Sequence, residues 1–357
     1  MRSIHIDLGK DSYDIHIEKG LLNQSGQYVR QLTEAERLAV ITDDAVDALY
    51  GNQLQAALEQ SGYEVHRIVF KAGEGSKNMT VLADLYQGLA DAGITRSDAI
   101  ITFGGGVPGD LGGLAAATYL RGIPFIQIPT TIIAQVDSSV GGKVAVDLPS
   151  GKNQAGAFYQ PKGVLIDPEL LTTLPLRFIH DGLGEVIKYG CIRDNHLFEL
   201  LETLQDDTLS AHWEEIIECC CTIKARIVEH DVLDMGERML LNFGHTIGHA
   251  IERCYGYGYY THGEGVAAGM AMLTAVTEQK GLTAAGTTQR LDAVLQRYGL
   301  PVTVNAAMPQ LLPYIAHDKK KRGNRLTLVI IPAIGTSELL SIEGDAIPDY
   351  IRKVDAQ

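Results

Sequence analysis

Long apolar runs are missing from this chain. No stretch approaches the ~18 consecutive apolar residues of a membrane-crossing helix, so none is expected. The opening "MRSIHIDLGKDSYDIHI" alternates like a strand and holds no apolar signal region, which makes a cytoplasmic location the expectation. Positive charge is also short: 30 Lys and Arg stand against 44 Asp and Glu, for a net charge of −14. That balance argues against nucleic acid and anionic membranes as partners. It leaves room for a small anionic substrate, because a few lysines in a cleft dominate the local field. Cysteine is scarce and poorly spaced for bridging. Of five, Cys219, Cys220 and Cys221 are consecutive, and no C-x-x-C pair occurs. They read as reduced thiols on a helix, not as a disulfide framework or a zinc knuckle. Internal repeats and low-complexity linkers are absent.

What is present is an ordinary core-forming composition. The chain has 357 residues, 45% of them hydrophobic, enough for two domains. Strand and helix signals alternate in the first half. "RLAVITDD", "YEVHRIVF", "DAIITF" and "PFIQIPTT" read as strands, while "VDALYGNQLQAALEQSG" and "NMTVLADLYQGLADAG" read as helices that stop at glycine. Such alternation predicts a parallel sheet with helices on both faces. From about Leu174 the signals become helical, as in "HWEEIIECCCTIKARIVEHD" and "GVAAGMAMLTAVTEQKG"; "NRLTLVIIPAIG" is the exception and reads as a strand. The expected fold class is α/β: a Rossmann-like nucleotide-binding domain over residues 1–174, then a mainly α-helical metal- and substrate-binding domain over residues 175–357. A cleft between two such domains is the natural place for a site.

Gly104, Gly106 and Gly109 form G-x-G-x-x-G between a predicted strand and a predicted helix, where backbone N–H groups can approach a pyrophosphate. No acid follows about 20 residues later, where the usual dinucleotide fingerprint wants one. Asp43 and Asp44, at another strand end, suit ribose hydroxyls instead. The reading is a dinucleotide site of different wiring, or only a tight turn. "SSVGGKVAVDLPSGKNQAGAF" places Lys143, Lys152 and Asn153 in a glycine-rich loop, which suits an anion or is a solvated surface loop. Glu185 and Lys188 lie one helical turn apart and could be no more than a surface ion pair.

His245 and His249 share one helix face, and His262 follows a tyrosine-rich turn. Two helical histidines four apart can chelate zinc, as in H-E-x-x-H, but Thr246 stands where that motif carries its glutamate base. Three nitrogen ligands, or two with a distant carboxylate, both fit the spacing. Spacing alone does not choose between them; the helical pair is the first expectation.

Taken together, "AGEGSKN", "GGGVPGDLGGLAAATYLRG", "IPTTIIAQVDSSVGGKVAVD", "GKNQAGAF", "GLGEVIKYG", "LNFGHTIGHAIE" and "HGEGVAAGM" resemble the 3-dehydroquinate synthase family of sugar-phosphate cyclases, in family order over roughly residues 70 to 320. The resemblance implies metal ligands at Glu185, His245 and His262, with His249 facing substrate. It implies NAD contacts at Asp43, Glu74, Lys77, Gly105, Gly106, Asp110, Thr130, Thr131, Thr173 and Leu174. It implies catalytic roles for Lys152, Lys188, Arg238, Asn242 and His249. Substrate contacts fall on Asp137, Lys143, Asn153, Lys224 and Lys320, with Arg121 reaching the neighbouring site of a homodimer. Implied cofactors are NAD and one divalent metal, zinc or cobalt. The implied reaction takes 3-deoxy-D-arabino-heptulosonate 7-phosphate to 3-dehydroquinate by transient oxidation, β-elimination of phosphate, re-reduction, ring opening and aldol closure. Phe178, Asp181 and Pro108 depart from the family pattern, and Phe178 bears on one cofactor-side contact. A 2-deoxy-scyllo-inosose synthase type of cyclase, a metal-dependent alcohol dehydrogenase of related fold and a catalytically inactive scaffold are the alternatives.

Overall fold

The computed structural model describes residues 1–256, 258–305, 308–319 and 325–350. The chain divides into two compact units: Met1–Leu174 with Trp213–Leu233, and Pro175–His212 with Asp234–Gln357.

The first unit is Rossmann-like. Its strands are β1 (Arg2–Ile6), β2 (Tyr13–Ile17), β3 (Arg37–Asp43), β4 (Glu64–Phe70), β5 (Ala99–Gly104), β6 (Phe125–Pro129), β7 (Lys143–Leu148), β8 (Gly151–Phe158) and β9 (Gly163–Ile166). Seven of them form one sheet in the order β1-β2-β9-β6-β5-β3-β4. All its pairings are parallel except the β1–β2 hairpin. Strands β3, β5 and β6 are continuous apolar runs because both faces are covered. One face packs on Leu54, Leu58, Phe103 and Ile128, the other on Leu85, Leu89, Leu111 and Phe125. The chain leaves β3 for β4 on one side and then returns to place β5 on the other. The order therefore reverses at β3, and the carboxyl ends of β3 and β5 flank the crevice where open α/β sheets take ligands.

Two expectations need correction here. The helix Trp213–His230, read with the second half of the chain, belongs to the first unit. Cys221 Sγ donates to the Gln135 carbonyl at 3.2 Å, and the Asp7 N–H donates to Glu229 at 2.8 Å. Its apolar face, with Ile216, Ile217 and Cys220, is thereby buried. The glycine-rich anion loop is an antiparallel ribbon, β7 paired with β8 through Val144↔Ala157 and Leu148↔Gly151. Val144, Ala145 and Val146 are all buried, while Lys143 at the start of the ribbon is exposed.

The second unit is mainly helical, with helices Leu176–Arg193, Asn195–Thr203, His245–Tyr255, His262–Gln279, Thr287–Arg297 and Met308–Lys319. The expected late strand is β10 (Arg325–Ala333). It pairs antiparallel with a strand the reading missed, β11 (Thr336–Glu343). A two-residue turn ending in Gly335, φ +86°, closes that hairpin. β11 is mostly exposed, which explains its weak apolar signal. No helix among the described residues is long and apolar enough to cross a membrane.

Candidate active site

In the first unit, the expected cofactor residues gather at the carboxyl edge of the sheet. Gly104 ends β5 with φ +149°, and a Cβ there would lie 2.5 Å from Pro108 Cγ, so only glycine fits. Gly105 caps the helix Gly106–Thr118, and Pro108 sits in its first turn, where a missing N–H costs nothing. The departure at Pro108 is thus compatible with the turn. Across the crevice Asp43 ends β3. Its Oδ1 accepts the Ala45 and Val46 N–H groups at 3.0 and 2.9 Å, and burial pushes its carboxyl up. The Thr130 N–H donates to the Gly104 carbonyl at 2.9 Å, joining β6 to the same edge, and Thr131 Oγ1 accepts from Ala134 N–H at 3.2 Å. Thr173 Oγ1 lies 2.7 Å from the Tyr50 hydroxyl, and Leu174 is half-buried beyond it.

Polar residues continue along this unit. Lys77 is buried, pairs with Asp110, and donates to Asn153 Oδ1 at 2.5 Å. Burial would lower its ammonium, but Asp110 and Glu74 outweigh that and hold it above its ordinary value. Asn153 adopts a left-handed φ of +55°, held by its N–H donating to Asp147 at 2.7 Å. Lys152 Nζ lies 3.7 Å from Glu74. Lys224 donates to the Asp137 side chain at 2.5 Å and to its carbonyl at 2.6 Å, a pair the expected domain boundary had split. Arg121 is exposed on a tight turn: Leu120, Arg121 and Gly122 all have positive φ, at +51°, +69° and +112°. A depression of about 650 Å³ over edge strand β4, near Asp47, Arg67 and Asp91, contains none of these residues.

The second unit brings together three helices. Glu185 on the helix Leu176–Arg193 is 0% exposed. Its Oε1 lies 3.5 Å from His245 Nε2 and 3.2 Å from His262 Nε2. Each of the three offers one ligand atom within 4.8 Å of the others. His245 Nδ1 is 3.1 Å from the Phe243 carbonyl, so it carries the proton and leaves Nε2 as a lone pair. Burial holds the His245 imidazole neutral, down to about 3. Burial would lower His262 too, but Glu185 and Glu252 outweigh it and raise that ring to about 10. Two nitrogens and a carboxylate oxygen, with positive charge favoured among them, suit a zinc-like divalent ion.

A second grouping, His249, Glu252 and His262, also meets the 4.8 Å limit. No grouping of three among the described residues contains both His245 and His249. Glu252 Oε2 lies 3.6 Å from His262 Nδ1, the place of an orienting carboxylate. Sequence reasoning missed Glu252, although it lies seven residues after His245 on the same face. His249 and Asn242 are exposed; Arg238 is 1% exposed. Lys188 is 1% exposed and pairs with Glu185, so the surface-pair alternative does not hold. Phe178 is half exposed, near the start of its helix. Lys320 lies outside the described residues.

The fold is shared by solved sugar-phosphate cyclases, which sets the class. A 2-deoxy-scyllo-inosose synthase complexed with carbaglucose-6-phosphate, NAD+ and Co2+ matches with a TM-score of 0.88 and 26% identity, over 98% of this chain and 99% of that one. ValA, the 2-epi-5-epi-valiolone synthase from Streptomyces hygroscopicus subsp. jinggangensis with NAD+ and Zn2+ bound, matches with a TM-score of 0.84 and 27% identity, over 94% of each chain. Within that class, the family model for the 3-dehydroquinate synthase N-terminal region matches residues 67–181, and the C-terminal model matches residues 182–321. A 3-dehydroquinate synthase of Clostridium acetobutylicum is 50% identical over 356 residues, 99% of this chain and 100% of that protein. The chain belongs to the 3-dehydroquinate synthase family.

Proposed function

We propose that the protein converts 3-deoxy-D-arabino-heptulosonate 7-phosphate to 3-dehydroquinate and phosphate, as a cytoplasmic enzyme using NAD+ catalytically and one zinc or cobalt ion. The observation that carries this reading is the approach of Glu185, His245 and His262 from three helices, with Lys188 buried beside them. Three protein ligands leave positions open for substrate oxygens. A divalent ion there would polarise a carbon–oxygen bond of the substrate. The crevice formed by Asp43, Gly104, Gly105 and Thr130 would seat the dinucleotide. Lys143, Lys152, Lys188, Lys224 and Arg238 supply cations for a phosphate and a carboxylate, which a sugar lacking the carboxylate would not need. His249, exposed beside the centre, would exchange protons with substrate. The test is phosphate release with NAD+ present and NADH absorbance followed in parallel. Stoichiometric phosphate without accumulated NADH is expected. Accumulating NADH supports an alcohol dehydrogenase, and turnover of a hexose 6-phosphate in preference supports the sister cyclase.

The same reading includes a homodimer with a shared site. Arg121 sits on a turn of consecutive left-handed residues, anchored where Arg96 Nε donates to the Leu120 carbonyl at 3.0 Å. Backbone strain of this kind persists only when its surroundings hold it. Arg offers a permanently charged fork for carboxylate or phosphate. Arg121→Ala is expected to lower kcat/KM at least ~10-fold, the scale of one lost charged contact. Mixing Arg121→Ala chains with Lys152→Ala chains should restore part of the activity, since a mixed dimer can assemble one intact site. No recovery after confirmed subunit exchange would place Arg121 outside the partner's site.

A further inference from the structure

Asp181 is one of the departures from the family pattern, and the reaction as read above leaves it without a role. It lies one turn before Glu185 on the helix Leu176–Arg193 and is 8% exposed. A carboxylate so buried must find donors. It finds them on the neighbouring helix. Its Oδ1 accepts the Gly263 N–H at 2.5 Å, and the Thr261 hydroxyl donates to the same side chain.

Those donors are not arbitrary. Thr261 is the cap of the helix His262–Gln279, so His262 and Gly263 are its first two residues. The N–H groups of a first turn have no partner within their own helix, and negative charge is favoured there. Thr261 and Glu264 form a reciprocal capping box, and Arg177 grips Glu264 at 3.0 and 3.2 Å. Gly263 also admits no side chain, because a Cβ would lie 1.8 Å from the Asp181 carbonyl oxygen. The two helices therefore touch by backbone at this point, and the Asp181 carboxylate bridges the contact. Glu185 and His262, which must meet at one ion, hang from opposite sides of that bridge.

The geometry points to Asp181 as a positioning residue: it clamps the first turn of the His262 helix so that His262 Nε2 faces Glu185. This rests on Glu185, His245 and His262 being the metal ligands. Metal-free protein should be titrated with zinc against a chromophoric chelator, and the visible bands of the cobalt form recorded, for the unaltered chain and for Asp181→Asn, Asp181→Ala and His262→Ala. Asp181→Ala should weaken zinc ~10–100-fold, the range of effects known for groups that orient metal ligands, and shift the cobalt bands, while Asp181→Asn, which keeps an oxygen acceptor, should lose far less. Unchanged affinity and bands in Asp181→Ala, while His262→Ala loses metal, overturns the inference. Equal losses in Asn and Ala also overturn it, because they assign the effect to charge and not to the hydrogen bond. Wild-type affinity in His262→Ala overturns the ligand assignment instead. Should Asp181→Ala fail to fold, Thr261→Val against Thr261→Ser makes the same comparison, since it removes or retains one donor and leaves the carboxylate in place.

Discussion

His262→Ala is expected to bind zinc at least about 100-fold more weakly and to release no measurable phosphate, because it removes one of the three proposed ligands. His249→Ala is expected to keep close to one zinc per chain while turnover falls ~100-fold, the lower range for a lost general acid–base group. The contrast separates the two groupings that the helices bring together. Glu185, His245 and His262 form a set in which the carboxylate is fully buried and His245 has its Nδ1 committed to a backbone carbonyl. Both features fix ligand atoms in advance of the ion. In the other grouping His249 is exposed, and Glu252 faces His262 through Nδ1, not through the Nε2 that meets Glu185. On the proposed assignment Glu252 would orient His262 and not ligate. Metal-to-protein ratios on the purified variants decide the matter. Loss of zinc from His249→Ala would move the ion to the second grouping.

The strands and glycine turn of the first unit were legible because they depend on local pattern. β3, β5 and β6 are buried on both faces and read as apolar runs, and Gly105 and Gly106 follow directly from β5. The anion loop was misread because its pattern is split: Val144, Ala145 and Val146 form only a short apolar run, and "LPSGKNQAGAF" is rich in small and polar residues that mark loops. The placement of the helix Trp213–His230 was not legible. Its amphipathic pattern shows that one face is buried and says nothing about what buries it. The same limit applied to the histidines. Four-residue spacing places His245 and His249 on one face, but the third ligand depends on which helix packs there. The family resemblance named Glu185; spacing did not. The capping box could have been read: "THGE" is the T-x-x-E signature, and it marks His262 as the first residue of a helix. Asp181 was visible only as an oddity, since its partners lie about 80 residues away in the chain.

Lys188→Ala should cost the metal-free protein about 1–3 kcal/mol, less than for a charge left wholly unpaired because protonated His262 still faces Glu185, and zinc should stabilise this variant more than it stabilises the unaltered chain. An exposed i,i+3 pair would be worth only about 0.2–0.5 kcal/mol, so exposure decides which estimate applies. Lys188 is 1% exposed and Glu185 0%, which makes this a buried pair. Removing the ammonium leaves a buried carboxylate with His245 and His262 as its neighbours. A divalent ion would supply the missing positive charge. It would also bind without a like charge one helical turn away, so its affinity should rise. Both effects act in the same direction. Each tenfold gain in affinity adds about 1.4 kcal/mol to the stabilisation by zinc at a fixed excess. In a chain of this size that corresponds to an extra rise in Tm of about 2 °C or more. The measurement is thermal unfolding of both proteins with chelator and with excess zinc. Equal zinc shifts would mean that the ammonium does not sense the ion, and Glu185, which holds that ammonium, could not then be its ligand.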